Sequence, residues 1–261
     1  MSTDPVFSEV QKINPSAIIE LFTLQLDNAL HGATTIYRFH AGSNLNANGE
    51  IVWARSWGSS QIDRSNNIII DANGNSYVTG YTRGGFNGMV SSGGADALII
   101  KFDPNGEILW QKQFGGSSDD WANSVVVTNS GELFISGDTH GDRGEELNDR
   151  NIFLAKFNPE TGEQLWIKEY GTESFDSGKL IYDHRTDRKM LIGSTSGDLI
   201  TGLPAGDQDL KKGFIMELDE QYNVRSIAQS QATNGDVHFL DFAKKVAILK
   251  PIVPNPINKI L

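Results

Sequence analysis

Along most of the chain, short runs of alternating apolar and polar residues are separated by segments rich in Gly, Asn and Asp. Between residues 49 and 105 the runs are IVWARSW (51–57), NIIID (67–71), SYVTGYT (76–82) and DALIIKFD (96–103). Alternation of period two sets neighbouring side chains on opposite faces of an extended backbone, so each run predicts one β-strand. DANGN (71–75), DPNG (103–106), NSGE (129–132) and NPETG (158–162) predict hairpin turns, because Asn, Asp and Gly tolerate left-handed backbone.

The pattern then repeats. GEIVWARSWG (49–58) returns as GEILWQKQFG (106–115) and GEQLWIKEYG (162–171), and Trp53, Trp110 and Trp166 are 57 and 56 residues apart. Asp63, Asp120 and Asp176 keep the same spacing, as do Gly80, Gly137 and Gly193. From each Trp to its Gly is 27 residues, whereas from that Gly to the cognate Lys101, Lys156 and Glu217 is 21, 19 and 24, which confines length variation to one loop per unit. Four strands in a unit of about 56 residues is the size of a propeller blade. The expected fold is mainly β: a propeller-like array of four-stranded blades, with three clear units (about 49–105, 106–161 and 162–222) and a degenerate fourth.

The flanks differ. Residues 1–48 lack the repeat; they predict a short helix (7–13), stopped at Asn14-Pro15, and two strands (17–26 and 34–41) forming a hairpin. A lone hairpin is marginal, so this segment is expected to dock on the repeats or on another chain, through Ile19, Leu21, Phe22, Tyr37 and Phe39. After residue 219 the Trp and Gly of the motif are missing, and the last segment (226–261) holds Pro251, Pro254 and Pro256 in an apolar run, expected to be an extended arm or edge strand.

Composition narrows the function. With 38% hydrophobic and 21% charged residues the chain has the make-up of a folded protein, and 27 glycines suit a turn-rich β architecture. A net charge of −11 without a local basic cluster repels phosphate backbones, so no nucleic-acid partner is expected. The absence of cysteine rules out disulfides and thiolate-bound metals. The start of the sequence has no leader pattern, and no apolar run is long enough to span a bilayer.

Candidate chemistry is sparse. Trp110, Lys112 and Phe114 share one strand face, as do Trp53, Arg55, Trp57 and Trp166, Lys168, Tyr170; each is a cation between two aromatics, suited to blade packing with a stacked cation or, alternatively, to a sugar-binding stripe. The periodic Asp63, Asp120 and Asp176 are expected to accept backbone N–H bonds. DANGN lacks the ligand spacing of a calcium loop. Five histidines, at 31, 40, 140, 184 and 238, form no metal-ligand pattern, and no nucleophile or phosphate-loop motif occurs, so neither an enzyme activity nor a cofactor is expected. The three variable loops, 83–95, 140–150 and 196–212, occupy equivalent places and should gather on one rim. Their candidate recognition residues are Phe86, Met89, His140, Arg143, Leu199, Ile200 and Leu203, weighed against the alternative that the loop tips tuck onto the blades.

Two resemblances add to this. SEVQKINPSAIIELFTLQLDN, YRFHAGSN and GEIVW, within about the first 53 residues, resemble the start of the phage minor tail protein L family. That resemblance implies a place in the tail tip of a long-tailed phage; the iron–sulfur cluster of some members is absent because there is no cysteine. GNSYVTGYT (74–82) and ADALIIKFDPNGEILWQKQFGGSSDDWA (95–122) resemble SBBP repeats, which implies a propeller-like fold and no particular activity over residues 49–219. Together they lead to the expectation of a non-enzymatic virion protein: residues 1–48 dock on tail hub or distal tail proteins, the repeats project for assembly or for recognition of a host-surface glycan or receptor, and the chain oligomerises in the particle. The alternative is a bacterial surface or adhesion propeller; a glycan-active enzyme is a third reading.

Overall fold

The computed structural model describes residues 18–20, 39–45, 51–140, 150–201 and 211–230, with side chains from residue 58 onward. The chain is mainly β. Among the described residues there are three four-stranded antiparallel sheets and one three-stranded sheet, and the sheets form a propeller-like array. The first blade comprises β4 (Asp63–Ile70), β5 (Ser76–Thr82), β6 (Asp96–Phe102) and β7 (Ile108–Phe114). The second comprises β8 (Asp120–Val127), β9 (Leu133–His140), β10 (Arg150–Phe157) and β11 (Gln164–Tyr170). The third comprises β12 (Asp176–Asp183), β13 (Arg188–Thr195), β14 (Lys212–Leu218) and β15 (Val224–Gln229). In each, spatial order follows chain order, a simple meander.

The blades are phased differently from the sequence units. Each Trp-bearing strand closes the sheet that precedes it: Trp110 lies opposite Lys101, and Trp166 opposite Lys156. The physical reason is the connection. A turn as tight as 103–107 forces its two strands to pair, whereas the linker 115–119 carries the chain across to the next sheet. Accordingly the first Trp strand, β3 (Ile51–Trp57), pairs with β2 (Phe39–Leu45), which pairs with β1 (Ile18–Glu20). The degenerate stretch after residue 219 supplies β15, the last strand of the third blade. The expected helix 7–13 and the arm beyond residue 230 lie outside the described residues.

Alternation assigns the two faces of each blade to different cores. On β6, Ala97 and Ile99 join Tyr77 and the second blade's Val125, Ile135, Phe153 and Phe157, while Leu98, Ile100 and Phe102 face the opposite side with Val78. On β10, Phe153, Ala155 and Phe157 meet the first blade, while Ile152 and Leu154 meet Leu180, Leu191 and Phe214 of the third. Phe114 completes the first interface, stacked within 5.7 Å of Phe153 and 5.2 Å of Phe157. Each fully buried Val, Leu, Ile or Phe side chain among these contributes about 1.5–3 kcal/mol.

The repeat markers now have causes. Asp63, Asp120 and Asp176 open the first strand of each blade, and each accepts an N–H from the inter-blade linker four residues earlier: Ser59 at 2.7 Å, Gly116 at 2.7 Å and Thr172 at 2.6 Å. The carboxylates therefore fasten one blade to the next, as expected. Gly80, Gly137 and Gly193 sit where a Cβ would land on the carbonyl oxygens of Arg64, Trp121 and Ser177, so only glycine lets the first two strands approach.

Gly162 answers to two constraints. Its φ is 67°, and a Cβ would lie 2.6 Å from Trp110 Cε3, because the indole of the first blade rests on the β10–β11 turn of the second. Trp110 Nε1 and Lys101 Nζ both donate to the Pro159 carbonyl, at 3.0 and 2.8 Å. At the cognate position the third blade carries Tyr222, with φ 60°, whose ring stacks 4.8 Å from Trp166 and 5.2 Å from Phe134. A non-glycine residue occupies left-handed backbone there because its own ring fills the space next to Trp166.

Candidate functional site

The two ends of each blade are chemically different. At one end lie tight turns closed on themselves. Asp71 Oδ1 accepts the amides of Asn73 and Asn75, Asp103 Oδ1 those of Asn105 and Glu107, and Asp219 Oδ1 those of Gln221 and Asn223. These side-chain-to-backbone turns occupy the carboxylates that a calcium reading of DANGN would need. Tyr77 donates to Asp71 Oδ2, and its phenol is pushed above its usual range by burial and by that carboxylate.

At the other end the blades carry their linkers and the variable connections β5–β6, β9–β10 and β13–β14. Register places Asp63, Thr82 and Asp96 side by side at this rim in the first blade, and Asp120, Thr139 and Asn151 in the second. Cross-blade bonds hold the rims together: Ala95 N donates to Asp119 Oδ1 at 2.7 Å, and Arg83 Nη2 donates to Asp119 Oδ2 at 3.0 Å.

Along this rim, cations and aromatic rings form one row across all three blades. Arg64 Cζ lies 6.0 Å from the Tyr81 ring, and Tyr81 lies 6.0 Å from Trp121. Arg150 is clamped between Trp121 and Phe175, 4.4 and 4.3 Å from the ring centres, and Lys211 Nζ lies 4.9 Å beyond Phe175. A cation over an aromatic face contributes about 0.5–2 kcal/mol, more as water is excluded. The rings are half-buried, Arg64 and Lys211 are exposed, and the Arg150 side chain is only 12% exposed.

Asp138 sits beneath the row. Its Oδ2 lies 3.4 Å from Arg150 Nη1 and accepts from Ser177 Oγ at 2.9 Å, and its Oδ1 accepts from Gly178 N. Burial raises the Asp138 carboxyl above its usual range against the opposing pull of Arg150, and burial lowers the Arg150 guanidinium. His140 Nδ1 is 2.8 Å from the Asp119 carbonyl, which can only accept; the ring therefore donates from Nδ1 and offers Nε2 to Arg150 Nε at 3.4 Å. Trp121 Nε1 is buried without a hydrogen-bond partner among the described residues.

Of the residues singled out from sequence, His140 belongs to this row, packed edge-on to Trp121 at 5.3 Å. Phe86 and Leu199 do not present apolar surface for recognition: they are 1% and 5% exposed and plug the blades beneath their loops. The cause is a clamp that recurs in two blades. The Gln113 amide accepts from Phe86 N and donates to the Gly84 carbonyl, and Gln229 does the same with Leu199 N and the Gly197 carbonyl. Met89 packs half-buried against the same core as Phe86, while Ile200 is 42% exposed. Arg143 and Leu203 lie outside the described residues, as do Leu21, Phe22 and Tyr37. The backbone sets Ile19 opposite Asn44 and Phe39 opposite Trp57.

The stacked cation of the Trp strand is also relocated. Lys112 is exposed, and Lys168 donates to the Gln221 carbonyl at 2.7 Å. The ring-facing cations come instead from the third strand, with Lys101 5.3 Å from Tyr77 and Lys156 5.8 Å from Phe134. No group of three or more His, Asp and Glu among the described residues is placed to hold a metal ion.

The rim row escaped the sequence reading because its members are not repeat markers. They flank them: the residue after the periodic Asp is Arg64, Trp121 or Ser177, and the residue after the periodic Gly is Tyr81, Asp138 or Ser194. Disagreement between copies beside an invariant position was the available signal.

Comparison with known proteins places the repeat. A family model described as a β-propeller repeat, SBBP, matches residues 52–87. No curated protein matches the sequence. Among solved structures, a GH43_12 protein retrieved from a capybara gut metagenome is similar over 69% of this chain at 13% identity and a TM-score of 0.39; the chain spans 31% of that protein. That structure corrects the expectation of a non-enzymatic chain, since GH43 proteins are glycoside hydrolases, and the exclusion of activity is withdrawn. The fold rests on the sheets themselves.

Proposed function

We propose that this chain is a recognition scaffold, a propeller-like array that presents one rim to a ligand, carried on the tail tip of a phage or phage-like particle by residues 1–48. The observation that carries the recognition part is the contrast between the two rims. One is built of turns whose polar groups are satisfied internally; the other gathers the length-variable connections and a row of half-exposed aromatics and cations in which the repeats diverge. Rigid scaffolds with divergent surface on one side commonly serve binding. The tail-tip part is supported by the resemblance of the first 53 or so residues to tail protein L.

The test is solution mass of the full chain mixed with ring and hub proteins of a long-tailed phage. A complex is expected, and Phe22→Ser and Tyr37→Ser should abolish it while leaving the urea midpoint of the repeats in place. A chain that stays unassociated in the presence of those proteins overturns the tail assignment and favours the surface-propeller alternative, for which adhesion of the purified chain to intact bacteria is the matching measurement.

A further inference from the structure

We infer that the rim row, Arg64, Tyr81, Trp121, Arg150, Phe175 and Lys211, is a binding strip for an acidic, carboxylate-bearing saccharide. The inference rests on the recognition reading above and specifies its ligand.

Three observations carry it. First, three aromatic rings from successive blades, Tyr81, Trp121 and Phe175, stay half-exposed where the packing around them buries comparable rings such as Tyr77, Phe134 and Phe153 almost completely. With cations over their faces, the rings leave their outward edges as apolar area against which sugar rings can rest, with a small number of polar groups to fix orientation. Second, each ring is flanked by a cation: Arg64 by Tyr81, Arg150 between Trp121 and Phe175, and Lys211 by Phe175. The carboxylates at this rim are engaged within the protein: Asp119 by Arg83, Asp138 by Arg150 with Ser177 and Gly178, and the buried Asp63, Asp96 and Asp120 by Ser59, Gln113 and Gly116. Arg64 and Lys211 are exposed, and Arg64 has no carboxylate partner among the described residues, so its charge is open to a ligand. Third, Arg150 is held from both sides by rings and from below by Asp138, so its guanidinium is fixed in place before any ligand arrives.

Neutral saccharides would use the rings and waste the cations. A nucleic-acid strand also stacks on aromatics beside cations, but its dense phosphates meet the field of a chain whose net charge is −11. A carboxylate on alternate or successive sugar units matches sparse cations set between rings.

The test is calorimetric titration of the full chain with a short oligogalacturonate, a neutral galacto-oligosaccharide of matched length and a matched oligothymidylate. Binding is expected for the oligogalacturonate alone and should weaken with added salt. Arg64→Ala combined with Lys211→Ala, both at exposed positions, should reduce affinity about tenfold, with a thermal midpoint lowered by no more than a few degrees through loss of the two cation–ring contacts. Trp121→Phe should retain more affinity than Trp121→Ala. Absence of binding to the acidic oligomer, equal binding of the neutral one, preference for the oligothymidylate, or an unaltered affinity in the double variant each overturns the inference. Adhesion to bacteria or assembly with tail proteins, without acidic-sugar binding, would leave the recognition reading standing and remove this one.

Discussion

Gly162→Ala isolates the contact that joins the first two blades. Two costs act at this residue. An alanine at φ 67° pays for left-handed backbone, about 1 kcal/mol. Its Cβ would also lie 2.6 Å from Trp110 Cε3, so the indole must shift, weakening its 3.0 Å hydrogen bond to the Pro159 carbonyl and part of its packing, together about 2 kcal/mol. Gly131 is the internal control: its φ is 81°, it closes a comparable turn, and a Cβ there would meet nothing within 4 Å. Gly131→Ala should therefore cost only the backbone share, about 1 kcal/mol. By equilibrium urea unfolding followed by tryptophan fluorescence, the two variants should differ by about 2 kcal/mol, a midpoint difference of about 1 M for a slope of about 2 kcal/mol/M. In a Trp110→Leu background the excess should vanish, since the colliding ring is gone. Equal destabilisation by the two alanines, or an excess that survives loss of the indole, would refute the reasoning.

Other perturbations test neighbouring parts. Gln113→Ala removes the amide that holds Phe86 N and the Gly84 carbonyl, so exchange of the Phe86 amide hydrogen should speed up about tenfold while the strands keep their protection; unchanged protection at Phe86 would remove the clamp. Tyr222→Gly relieves left-handed backbone but loses the stack on Trp166 and Phe134 and the bond to Glu132, and should destabilise by about 1–3 kcal/mol; a gain in stability would show that the ring contributes less than the strain. Asp63 has its carboxyl raised from 3.8 by burial, against hydrogen bonds from Thr82 and Ser59. The folded state thus holds a proton on Asp63 more tightly than the unfolded chain, and that contribution is present below pH 3.8 and lost as pH rises through the folded value. Stability of the wild type relative to Asp63→Asn should accordingly fall with rising pH in that window, read from urea midpoints; a relative stability that rises there contradicts the sign.

What the sequence determined by itself was local and periodic. Alternation assigned the strands, the spacing of Trp, Asp and Gly counted the blades, and the short polar turns closed with Asp or Asn, because a strand's two faces and a turn's left-handed residues are written in neighbouring positions. The role of Asp63, Asp120 and Asp176 was legible for the same reason, as their partners lie four residues away. The phase of the blades was in principle legible too: a turn as tight as 103–107 already requires the Trp strand to pair backwards.

Tertiary structure alone decided the rest. Phe86 and Leu199 look like loop residues until Gln113 and Gln229, 27 and 30 residues away, draw their backbones onto the blade. The rim row joins Trp121, Arg150 and Phe175 from two blades, and which side chains meet there depends on how one sheet is rotated against the next. Periodicity fixes the face on which a residue lies within its own sheet; the partner across the interface is set by packing between sheets, which no local pattern encodes.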